Sequence, residues 1–86
     1  MAVSLTLIGK PGCHLCDDAR EVIASVIDAL PADAPAVEVG ERNILEDPAL
    51  YEQYVEEIPV ILVDGRVHTY WRVDPARLRT ALLEAR

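Results

Sequence analysis

Cys13 and Cys16 are the only cysteines of an 86-residue chain, with two residues between them in the run GKPGCHLCDD, residues 9–18. A thiol pair at this spacing has four uses: a redox couple, part of a metal site, a structural disulfide, or two inert core thiols. Zinc takes about four ligands and the pair supplies two. His14 adjoins Cys13, so on a helix the two side chains diverge, and His68 lies far along the chain. The metal reading, an iron–sulfur site or one completed across a dimer included, needs donors the motif lacks and stays open. A disulfide across two residues stabilises little, because the gain grows with the length of the closed loop. Inert thiols are the ordinary reading of scattered cysteines, and these two are not scattered.

The redox reading depends on which elements carry the pair. VSLTLI, residues 3–8, is short, aliphatic and partly β-branched, as a buried strand requires. Lys10-Pro11-Gly12 then gives a turn signal. From Leu15 to Leu30 the period changes: Ala19, Val22, Ile23, Val26, Ile27 and Leu30 recur at helical spacing, with Asp17, Asp18 and Glu21 near the start. Cys13 is thus placed where a strand gives way to a helix. Backbone N–H groups there have no intrahelical acceptor, and they favour a thiolate, the attacking form of sulfur. Cys16, almost one turn on, is within disulfide reach and is expected to be the more buried, resolving thiol.

The rest of the chain predicts the frame. AVEVGERNI reads as a second strand with a glycine inside it, a candidate bulge. Asp47-Pro48 caps a short helix with Leu50, Tyr51, Tyr54 and Val55 inward. VILV, residues 60–63, is apolar on both faces, which predicts a central strand. Asp64-Gly65 marks a hairpin, RVHTYW returns, and Asp74-Pro75 starts a last helix with Leu78, Ala81, Leu82 and Ala85 on one face. The order β-α-β-α-β-β-α predicts an α/β fold: a right-handed parallel crossover, an antiparallel hairpin, and a four-stranded mixed sheet flanked by three helices. No linker or repeat divides residues 1–86, so a single domain is expected.

Composition limits the partners. The net charge is −7 and the basic residues are scattered, which disfavours nucleic acid. No apolar stretch approaches the roughly 18 residues of a membrane span, and the first residues lack a basic leader. A cytoplasmic monomer is expected, in a compartment where close cysteines serve catalysis or metal binding.

With KPGCHLC after the first strand, EEIPVILVDGR before the hairpin, and this order of elements, the sequence resembles the glutaredoxins and glutaredoxin-like small redoxins of the thioredoxin superfamily. The likeness covers nearly the whole chain. It implies a thioredoxin-like fold and a thiol–disulfide oxidoreductase with Cys13 as nucleophile and Cys16 as resolving thiol. It implies a cis Ile58-Pro59 bond facing the cysteines, with the Ile58 backbone pairing to a bound thiol peptide. Lys10 would stabilise the thiolate or meet a ligand carboxylate. Between the cysteines the chain departs from the family, with His14 and Leu15 in place of the usual Pro-Tyr or Pro-Phe, and His14 is read as an exposed residue that tunes the couple. The substrate would be a protein disulfide or a small-thiol mixed disulfide. Glutathione, another small thiol or a reductase would restore the dithiol, with no bound cofactor. The chain departs from the family where many members carry Gly-Gly and acidic residues before the last helix. Here the stretch is TYWRVDP, with bulky Tyr70 and Trp71, and only Asp74 matches the acidic cap. Trp71 is expected to be a partly buried packing residue.

Overall fold

The computed structural model describes residues 2–85. Its elements run β1 (Val3–Gly9), α1 (His14–Asp28), β2 (Val37–Asn43), a 3-10 turn (Ile44–Glu46), α2 (Pro48–Tyr54), β3 (Val60–Val63), β4 (Arg66–Tyr70) and α3 (Pro75–Glu84). The sheet order is β2-β1-β3-β4. β1 pairs in parallel with β2, from Val3 opposite Val37 to Gly9 opposite Asn43. β3 lies antiparallel to β1, and β4 antiparallel to β3. This is the four-stranded mixed sheet with three helices that the order of elements predicts. No helix among the described residues is long and apolar enough to cross a membrane.

Strand alternation divides the apolar residues between the two faces. Val3, Leu5, Leu7 and Ile61 are buried with Ala19, Ile23 and Val26 of α1 and Leu78 and Leu82 of α3. Ile8 and Val60 join a second cluster with Ile44, Ile58 and Cys16, against which Cys13, Leu50 and Tyr54 pack. The first cluster anchors α1 to the sheet. The second builds the ground under the cysteines.

Local signals act as read. Asp47 and Asp74 each cap a helix that begins with proline, and each accepts two backbone N–H groups. The hairpin turns at Asp64 and Gly65, whose φ angles of 50° and 82° are the left-handed pair of a tight two-residue turn. Other details differ. Gly40 makes no bulge: β2 pairs in unbroken register and the irregularity falls at Ile61/Leu62, against β4. Tyr51 is 46% exposed rather than inward, because α2 is only seven residues long and covers the sheet with one narrow stripe. The second strand ends at Asn43, whose side chain caps the 3-10 turn through Leu45 N–H and turns Ile44 into the core. α1 stops at Asp28, short of the Pro31 that blocks its continuation.

Candidate active site

β1 delivers the chain to one end of the sheet, and the Pro11-Gly12 turn reverses it into α1 with Cys13 as N-cap. Cys13 has extended backbone angles (φ −97°, ψ 112°), and its Sγ accepts the Cys16 backbone N–H at 3.2 Å. A sulfur thus occupies the place that a serine or aspartate oxygen usually takes, and a negatively charged sulfur is the better acceptor there. Cys13 is partly exposed, whereas Cys16 is fully buried. Burial first, and then the neighbouring Cys13 sulfur, push the Cys16 thiol up from 9.0 to about 11, against a hydrogen bond from the Lys10 backbone. Two chemically identical side chains are thereby made unequal: one reachable, the other dry and protonated at neutral pH.

Gly9 is a site residue that pattern reading misses. A Cβ there would lie 2.7 Å from Cys16 Sγ and 3.3 Å from Leu7 Cδ2. The missing side chain is therefore the space Cys16 fills. No sequence period announces this, because the contact joins the last residue of β1 to the first turn of α1.

Ile58 and Pro59 are both buried, and Ile58 belongs to the cluster that holds Cys16 and against which Cys13 packs. The peptide bond between them is cis. Among the described residues, neither the N–H nor the C=O of Ile58 pairs with other backbone. Pro59 C=O accepts the Trp71 N–H at 2.8 Å.

The other candidates are placed less centrally. Lys10 and His14 are exposed, Lys10 just after β1 and His14 as the first residue of α1. The Asp74 carboxylate is engaged as the α3 cap, bonded to Ala76 N–H at 2.9 Å and Arg77 N–H at 3.3 Å. Trp71 is 52% exposed and lies beyond β4, not in it. Its φ of 63° is unusual for so bulky a residue. Its indole N–H donates to Glu56 C=O at 3.1 Å, which ties it to the segment before Pro59. A groove of about 150 Å³ separates Trp71 and Arg72 from Leu15, Asp18 and Val22 of α1. No three His, Cys, Asp or Glu side chains are grouped to hold a metal ion among the described residues.

Comparison with known proteins bears on the same architecture. A family model described as Glutaredoxin-like domain (DUF836) matches residues 4–83. An uncharacterized protein of Mycobacterium tuberculosis is 34% identical over 73 residues, 85% of this chain and 75% of that protein. A glutaredoxin-like protein of Dictyostelium discoideum is 20% identical over 78 residues, 90% of this chain and 72% of its own. A structural-genomics protein from X. campestris is similar to this fold with a TM-score of 0.74 at 34% identity, covering 95% of this chain and 99% of that one. A mutant thioredoxin from Halobacterium salinarum gives a TM-score of 0.60 at 20% identity, with 93% and 71% coverage, a likeness of fold.

Proposed function

This chain belongs to the Glutaredoxin-like domain family, and from that premise we propose that it is a small thiol–disulfide oxidoreductase working through Cys13 and Cys16. The observation that carries the reading is the inequality of the two sulfurs: Cys13 caps α1 at the surface, and Cys16 is buried directly behind it.

The Cys13 thiolate attacks one sulfur of a substrate disulfide. A bond forms between Cys13 Sγ and that sulfur, the substrate S–S bond breaks, and the other half leaves as a thiolate that takes up a proton. Cys16 then loses its proton and attacks Cys13 Sγ. The Cys13–Cys16 disulfide forms, the mixed disulfide breaks, and the second substrate thiolate departs. Two electrons have passed from the protein dithiol to the substrate. A low-molecular-weight thiol such as glutathione, or a reductase, restores the dithiol and is itself oxidised.

Burial of Cys16 keeps it from attacking substrate in place of Cys13, and its high thiol pKa delays its part until Cys13 is already bonded. The free N–H and C=O of Ile58 suit an extended substrate backbone laid against the start of β3, with Pro59 beneath it. Lys10 adds positive charge on the approach to Cys13, and His14, next to Cys13 in the chain, tunes the couple. Asp74 serves as the α3 cap before any ligand. Bulky Tyr70 and Trp71 stand just before α3, where a close backbone approach to a ligand would be needed, which supports protein disulfides or small mixed disulfides that do without it as the substrates.

The test is reduction of hydroxyethyl disulfide and of insulin, coupled to a small thiol. Wild type turns over at least one of them and Cys13→Ser does not. Equal rates in the two proteins would overturn the assignment.

A further inference from the structure

We propose that β2 is a dimerisation edge, at which a second copy of this chain pairs antiparallel about a two-fold axis through Gly40. β2 is the outer strand on its side of the sheet, and all seven of its residues pair with β1 alone. Its outward N–H and C=O row is unpaired among the described residues, and its five central residues, Glu38 to Arg42, are exposed. Such an edge is a template for another strand unless charge repels the approach.

The charges on this edge favour its own copy. Glu38 and Arg42 stand two residues on either side of Gly40. An antiparallel pairing centred on Gly40 sets Glu38 opposite Arg42 of the second copy, and the reverse, so two opposite-charge pairs form by symmetry. Shifting the centre by half a residue toward Val39 would instead set Glu38 opposite Glu41. The alternation of the strand puts both charge pairs on one face of the joined sheet and Val39 on the other.

Two further observations fit the same axis. Val39 is 51% exposed, and it borders an apolar groove of about 350 Å³ whose floor and wall are Leu7, Ile23 and Ile27. A two-fold axis perpendicular to the sheet keeps both α1 helices on the same side. Val39 of each copy then stands opposite Glu41 of the other, on the face that carries the α1 helices and beside the grooves. Gly40 has no φ in the left-handed range, and a Cβ there would meet nothing within 4 Å. Nothing inside one copy calls for a glycine that weakens a strand. A close approach of a second backbone does.

This edge is two strands away from β3 and the Ile58–Pro59 bond. The interface is separate from the sulfur chemistry. It replaces the monomer expected from the sequence with an eight-stranded continuous sheet.

The test is sedimentation velocity on the full chain, over a dilution series reaching about 1 mM, where even a weak interface is populated. Wild type sediments at twice the 9.5 kDa chain mass. Glu38→Arg makes both pairs like-charged and weakens the dimer at least tenfold, and Arg42→Glu does the same. Equimolar mixing of the two variants restores a dimer, because each then faces its opposite. Circular dichroism checks that both are folded. Arg42 also holds Asp47 at 2.9 Å, so if Arg42→Glu unfolds, Glu38→Arg decides alone. A wild-type monomer throughout the series, or a Glu38→Arg dimer as tight as wild type, would overturn the proposal. Folded single variants that stay apart on mixing would overturn the register.

Discussion

Adding one methyl group at Gly9 separates the two sulfur steps. In Gly9→Ala the new Cβ starts 2.7 Å from Cys16 Sγ, about 1 Å inside ordinary packing distance. The strand end is fixed by its pairing with Asn43 on one side, so the sulfur has to move. Overpacking of this kind costs about 1–3 kcal/mol, and a misplacement of about 1 Å in a reacting group costs on the order of 10²-fold in rate. Cys13 is partly exposed, and the atoms nearest the new methyl belong to Cys16 and Leu7, so Cys13 alkylation by iodoacetamide stays close to wild type. Ring closure by Cys16 slows by one to two orders of magnitude, roughly as that misplacement implies. The assay loads Cys13 with a small thiol, starts closure by a pH jump, quenches with acid, and follows the released thiol by mass spectrometry. A Cys16→Ala background removes the clashing sulfur, so the stability cost of Gly9→Ala shrinks there in a double-mutant cycle. Closure at the wild-type rate, with an additive cycle, would refute the packing argument.

Three other outcomes follow from the same geometry. Burial, the largest cause of the raised Cys16 thiol, persists when Cys13 is bonded, so Cys16 stays almost wholly protonated at neutral pH and the closure rate rises steeply, about tenfold per pH unit, from pH 7 to 8; a flat profile would contradict a buried resolving thiol. His68 Nε2 is buried without a hydrogen-bond partner, and burial first, then Arg77, push its imidazole below 6.5, with Asp74 pulling the other way. The folded protein then binds fewer protons than the unfolded chain below 6.5, so stability falls as pH drops through that value. Urea midpoints from about pH 7.5 to 5.5 should show this fall and lose part of it in His68→Gln, and identical slopes would contradict it. Asp74→Ala removes the acceptor of two α3 N–H groups and costs about 1 kcal/mol in thermal or urea unfolding; unchanged stability would mean the cap is redundant.

Much of this fold was legible because its signals are local. The period change after Leu15, the two Asp-Pro caps and the Asp64-Gly65 turn each act over a few residues, and each appears where read. The same locality put Cys13 at the start of α1. The errors lie where distant elements decide. Gly40 looks like a bulge in isolation, but β1 holds it in register. Tyr51 matches the helical period, yet α2 is too short to bury it. Trp71 reads as the end of a strand, while its backbone turns left-handed and its indole reaches Glu56. Gly9 carried no signal, since what makes it glycine is a sulfur seven residues on, brought back by the turn.

The most direct measurement traps the intermediate. Cys16→Ser and Cys13→Ser are each mixed with hydroxyethyl disulfide, quenched with acid and mapped by peptide mass spectrometry. The Cys16→Ser protein should accumulate an adduct at Cys13, the Cys13→Ser protein should stay unmodified at Cys16, and wild type should pass to an intramolecular Cys13–Cys16 disulfide. An adduct on Cys16 as fast as on Cys13, or a wild type that never closes the ring, would contradict the unequal-sulfur account.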